Sequence, residues 1–133
     1  RATSIYLSVA SALVPPQGPR LEPYMLRFLR RAMRDSLFRS SPVEATLRQW
    51  NSVRRGERLY ISPYRGQANL TIDTFLPYEV NILMPRLTSV LREHRDALEH
   101  AGLAPINDIL GTITPIEWQG RIPEDSVLHE FIG

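Results

Sequence analysis

Lysine and cysteine are both missing from this 133-residue chain. Without cysteine there is no disulfide framework, no thiol nucleophile and no thiolate metal site, which removes several enzyme classes together. Long apolar runs are missing too: none approaches the ~18–20 residues that a membrane-spanning helix needs. The basic, apolar and small-residue succession of a signal peptide is also lacking, so the chain is expected to be soluble and without a membrane partner. Its start at Arg1 suggests a processed product or an excised domain. No G-x-S-x-G, P-loop or Rossmann glycine pattern occurs, and no HExxH. His94 and His100 stand six apart, off the i,i+4 spacing of a metal pair, and His129 is distant from both. His94 falls on an apolar stripe and is expected to pack there, partly buried. The sequence therefore reads as non-enzymatic, with no metal, cofactor or small-molecule substrate in evidence.

What is present is an ordinary globular composition, 43% hydrophobic and 23% charged. The length fits one domain over residues 1–133, ending in an acidic C-terminal tail at 119–133. All 16 basic residues are arginine. A high-GC genome would give that bias, but the 10 isoleucines against 9 alanines and 7 glycines weaken the explanation. Arginine offers a planar five-donor group suited to phosphate and carboxylate, whereas lysine is also the acceptor for ubiquitin. In this the chain is similar to viral structural proteins and to the catalytic chains of retrotranslocated bacterial toxins, a similarity of composition alone. Charge is unevenly divided. Residues 1–66 hold 12 Arg against 4 acids (+8), and residues 67–133 hold 4 Arg against 10 acids (−6), which gives the formal +2. Such asymmetry points to a polyanion, to an oppositely charged partner, or to pairing of the two halves in the fold.

Element by element, "TSIYLSVASAL" alternates Ile5, Leu7 and Val9 with smaller or polar residues, predicting a first strand with one buried face. "VPPQGPRLEP" predicts a surface loop. Met25, Leu26, Leu29, Met33 and Leu37 follow at helical spacing from Pro23. "SPVE" predicts a second helix with Ser41 as N-cap, Pro42 at its first position and Gly56 as its left-handed terminator. "RLYIS" and "NLTIDTF" predict an antiparallel hairpin. "VNILM" is ambiguous, while Leu87, Val90, Leu91, His94 and Leu98 predict a helix ended by Gly102. "DILGTITPIEW" predicts a final strand, edged by Pro115. The order is a ferredoxin-like β-α-β-β-α-β with a split first helix, hence an α+β two-layer sandwich on a mainly antiparallel sheet.

The candidate site is the stretch "MLRFLRRAMR". With its apolar stripe on the sheet, Arg27, Arg31 and Arg34 fall at i, i+4 and i+7 of the outward side, with Arg30 beside them. Arg20 and Arg39 extend the patch, and Arg54, Arg55, Arg58 and Arg65 enlarge it. Tyr60 and Tyr64 are candidate stacking residues for single-stranded bases. In element order, and in a basic helix soon after strand one, the chain resembles the DNA-binding domains of papillomavirus replication regulators and gammaherpesvirus episome-maintenance proteins. In those, strands of two subunits join and helices meet the DNA. The resemblance implies no particular site residue, because no motif matches position by position. RNA-recognition motifs share the order, but "NLTIDTF" lacks their aromatic signature. Trp50, Trp118, Phe131 and Ile132 exceed the needs of a small core and favour a homodimer. The leading expectation is a dimeric, non-enzymatic nucleic-acid-binding module of viral type. A self-assembly domain of a viral structural protein and a lysine-free host-targeted effector fragment are the alternatives.

Overall fold

The computed structural model describes residues 3–14, 19–38, 42–110, 112–116 and 120–132. Six α-helices and two short strands appear among them: β1 (Ile5–Ser8), α1 (Pro23–Phe38), α2 (Val43–Gly56), β2 (Leu70–Asp73), α3 (Glu79–Glu93), α4 (Arg95–His100), α5 (Ala104–Ile109) and α6 (His129–Ile132). This is a helical assembly carrying a two-stranded parallel sheet, Ile5 opposite Leu70 and Ser8 opposite Asp73. The expected ferredoxin-like sandwich with an antiparallel sheet is therefore wrong. So is the hairpin on which it rested, and with them goes the topology that carried the likeness to the viral DNA-binding domains.

Two local misreadings explain the error. "RLYIS" has strand-like residues, but β-propensity reflects packing partners more than backbone preference. Here α2 runs on through Gly56, whose φ of −59° and ψ of −44° are helical. It continues as a π-helical segment, Glu57–Ile61, and a 3₁₀ segment, Ser62–Gln67. Gly56 is thus no terminator. With that connection helical, β2 returns beside β1 as the parallel strand of a crossover, which a tight hairpin cannot make. The start of "DILGTITPIEW" is helical: Ile109 closes α5, buried together with Ile106 three residues before it, rather than opening a strand.

Other expectations fare better. The helix from Pro23 forms, and a second helix does begin near the expected place, but one residue later: Pro42 is its extended N-cap, not its first helical residue, and Val43 opens α2; Ser41 lies outside the described residues. Gly102 takes φ +75° and ends α4 as expected, although the single helix expected from Leu87 through Leu98 is interrupted at His94, whose φ of −117° and ψ of 34° divide it into α3 and α4. The Leu103 amide reaches back to the Leu98 carbonyl at 2.8 Å and the Gly102 amide to Glu99 at 3.1 Å, a Schellman closure with Leu98 and Leu103 both buried. "VNILM" resolves as helix, with Pro85 inside α3. The region read as an acidic tail contributes Leu128, Phe131 and Ile132 to the core.

α1 is the central element, packing against α2, α3 and α6. Met25, Leu26, Phe28, Leu29, Ala32 and Met33 are all buried, a wider apolar face than a surface helix presents. Trp50 of α2 meets Phe28 edge-on, ring centroids 5.3 Å apart. Trp50, Phe131 and Ile132 are thus core residues, so they give no reason for a dimer; Trp118 lies outside the described residues. No helix among the described residues is long and apolar enough to cross a membrane.

Candidate functional site

Because α1 is enclosed on several sides, its arginines turn inward and find partners there. Arg30 is 7% exposed and Glu79, the first residue of α3, is fully buried. Arg30 Nε donates to Glu79 Oε1 at 3.0 Å and Nη2 to Oε2 at 2.6 Å. The same guanidinium donates to the Thr74 hydroxyl and carbonyl and lies 5.2 Å from the Phe131 ring centroid. Glu79 Oε2 also accepts the Leu76 amide at 3.1 Å. This residue is structural, and the reading of Arg30 as an outward phosphate contact fails for that reason.

The neighbouring arginines are half-buried. Arg27 donates to the Val9 carbonyl at 3.1 Å and to Glu57 at 3.2 Å. Arg31 stands 3.5 Å from Asp35, a buried carboxylate that also accepts from the Thr46 hydroxyl. Arg34 forms no ion pair among the described residues. These four arginines line one side of a cleft of about 310 Å³, with Trp50, Val53, Val127 and Phe131 among its apolar walls and Glu57 and Glu130 at its acidic positions. The sequence-level question of whether the acidic half folds over the basic one has a divided answer. Glu79 comes from the second half, whereas Glu57 and Asp35 come from the first.

The remaining predicted residues scatter. Arg20 is exposed and pairs with Glu22 at 2.8 Å. Arg54 lies 3.7 Å over the Tyr24 ring, whose hydroxyl donates to the Gly102 carbonyl, so it locks helices together. Arg39 lies outside the described residues. Arg55, Arg58, Arg65, Tyr60 and Tyr64 are exposed along one continuous helical stretch, with Arg65 6.0 Å from the Tyr6 ring centroid. His94 is partly buried as expected, its Nδ1 2.8 Å from the Val90 carbonyl and its Nε2 3.3 Å from Glu44. No cluster of metal-ligating side chains forms among the described residues.

A second surface was not anticipated. In the parallel register, Ile5 and Leu7 of β1 stand beside Leu70 and Ile72 of β2, so all four project from one face. Ile5 is 54% exposed and Leu7 62%. The alternation was legible as a strand, but its assumed buried face is the open one; Val9, beyond the strand, is what reaches the core. Asp73 ties the strand ends together, accepting from the Ser11 hydroxyl and from the Ala10 and Phe75 amides. Slight burial pushes its carboxyl up, but the Ser11 hydroxyl and the amides of Ala10, Phe75 and Ser11 outweigh that and hold it below its usual value. Compared with protein-family models, curated proteins and solved structures, the chain matches none.

Proposed function

We propose that the chain is a protein-interaction module that self-associates through its two-stranded sheet, the occupant of the open face being a second copy. The observation that carries this reading is the shared exposed face of Ile5, Leu7, Leu70 and Ile72. Parallel sheets are ordinarily covered on both faces, and an isolated strand pair is marginal in water. Eight of the twelve large hydrophobic residues left exposed among those described come from β1, β2 and the Leu59–Tyr64 stretch. Ile61 and Leu7 line one groove, so the two parts adjoin. Monomers rarely expose a contiguous patch beyond roughly 300–600 Å², while a standard interface covers about 800 Å² per partner. Neither strand carries proline or a basic residue, and the one charged side chain, Asp73, stands at the very end of β2.

Sedimentation across protein concentration tests the proposal, with Leu7→Arg and Ile72→Arg as variants. A concentration-dependent dimer that survives high salt and is lost in both variants is expected, because apolar burial is not screened. A parent chain that stays monomeric throughout, or variants that dimerise like it, would overturn the reading. A stable complex only with another protein would assign the face to that partner instead.

A second reading, nucleic-acid binding, is favoured by the exposed run of Arg55, Arg58, Tyr60, Tyr64 and Arg65. Stacking contributes roughly 1–3 kcal/mol per base on such aromatics, and each neutralised phosphate steepens the salt dependence by about 0.7 for single strands. The informative variants are Arg58→Ala and Tyr64→Ala in salt-titrated binding to single-stranded DNA and RNA. Arg30→Ala would confuse lost contact with lost fold. Equal binding by parent and both variants would remove this stretch from the reading.

A further inference from the structure

We propose that the cleft beside α1 binds a small organic oxyanion, a phosphate or carboxylate head joined to an apolar body. Its volume of about 310 Å³ falls at the lower end of the ~300–1,000 Å³ range of ligand pockets. The donors are not all spent. A guanidinium carries five N–H groups, and Arg30 spends four of them on Glu79 and Thr74. The Nε atoms of Arg27 and Arg34, by contrast, are covered from solvent and meet no acceptor among the described residues, while Arg31 Nε faces the Asp35 carboxylate at 3.5 Å. Buried donors of this kind are ordinarily satisfied, and two of them on one cleft wall mark a place for an acceptor.

Charge selects the sign of that acceptor. Arg27 is offset by Glu57, Arg30 by Glu79 and Arg31 by Asp35, which leaves Arg34 as the cation of the wall with no ion pair among the described residues. Glu130 also lines the cleft, is exposed, and forms no ion pair among the described residues. It opposes an anion, so the head is assigned to Arg34. The apolar body is received by Trp50, Val53, Val127 and Phe131. Trp50 is itself 1% exposed, and its indole N–H is buried without an acceptor, adding a neutral donor to this wall. An inorganic ion would leave those apolar walls unused, which is why the ligand class is an organic anion.

The test is titration calorimetry of the full chain with phenyl phosphate, benzoate and inorganic phosphate as probes. Saturable binding of phenyl phosphate or benzoate is expected, tighter than that of inorganic phosphate; which of the two binds assigns the head as phosphate or carboxylate, and binding of both as an oxyanion in general. Arg34→Gln should weaken it about tenfold, the scale of a charge-assisted hydrogen bond, without lowering the melting temperature, since Arg34 holds no ion pair within the described chain. Glu130→Gln should tighten it severalfold, and Arg92→Gln on α3, which does not line the cleft, should leave it unchanged. The proposal is overturned if neither organic anion binds, if inorganic phosphate binds as tightly as phenyl phosphate, or if Arg34→Gln and Arg92→Gln weaken binding equally. Leu7 borders both the cleft and the open sheet face, so the same titration on Ile72→Arg, whose residue does not line the cleft, separates failure of this proposal from failure of the self-association reading.

Discussion

Arg30 and Glu79 meet across the α1–α3 interface as a two-pronged ion pair, both nitrogen–oxygen contacts at 3.0 Å or less, with almost no solvent reaching either side chain. A pair in this position is costly to break and cheap to replace. Truncating one partner strands a buried charge at a cost of about 3–5 kcal/mol, whereas exchanging both for apolar groups of similar size is often neutral or stabilising. Arg30→Ala and Glu79→Ala are each expected to lower unfolding free energy by that amount, while Arg30→Met combined with Glu79→Leu restores most of it. Urea denaturation of the four proteins measures this. Additive losses in the double variant would show that the two residues are not acting as a pair.

The pair also marks where the sequence stops being legible. The apolar positions of α1 announce a helix and its buried side, and the spacing of Leu98 before Gly102 announces the Schellman end of α4, because both signals are local. Arg30 looks like its neighbours, and its burial depends on Glu79, 49 positions along the chain. Likewise the alternation of Ile5 and Leu7 indicates a strand without saying what covers it. The stretch after Arg55 was misread because its isoleucine, leucine and tyrosine suit a strand, while tertiary context let α2 continue. Of the cleft, the arginine wall was visible as a cluster. Its inward direction, and the convergence of Trp50 and Phe131 on it, were not.

Gly102 gives the simplest backbone prediction. Its φ of +75° belongs to the left-handed region, and a Cβ built there would meet nothing within 4 Å. The cost of Gly102→Ala is therefore conformational alone, about 1–2 kcal/mol. Gly102→Asn should cost less, since asparagine tolerates that region better. A fall in the urea midpoint at constant m-value is the expected signature, with alanine below asparagine. Equal midpoints for all three would mean that the closure through the Leu103 amide does not depend on this geometry.

Pro85 should show stability and local order moving in opposite directions. Lacking an amide hydrogen, it leaves the Asn81 carbonyl without its helical donor, and the Ile116 amide takes that place at 3.3 Å. The Asn81 side chain adds a second tie, donating to the Thr114 carbonyl at 3.0 Å. Pro85→Ala restores a helical donor and removes a penalty of up to about 3 kcal/mol. The variant is thus expected to be more stable globally while the Ile116 amide exchanges faster, having lost its acceptor to residue 85. Hydrogen exchange reads both at once. An unchanged Ile116 rate would break the link between the proline and the docking of 112–116.

Asp73 makes the sheet acid-sensitive. Its carboxyl titrates below the ordinary 3.8 in the folded chain, held there against slight burial by the Ser11 hydroxyl and nearby amides. A folded value below the unfolded one means that the unfolded chain binds the proton more readily. The contribution is therefore complete above the unfolded value and is lost as the pH falls through the folded one. Asp73→Asn keeps the shape but not the charge, so the parent should melt higher at neutral pH. The gap should be unchanged down to about pH 5 and close progressively below about pH 4. Because Asp73 joins residues 10 and 11 to the end of β2, the amides of β1 and β2 should lose protection over the same interval. A gap between parent and variant that stays constant from neutral to strongly acidic solution would show that the carboxylate's charge does not hold the strands together.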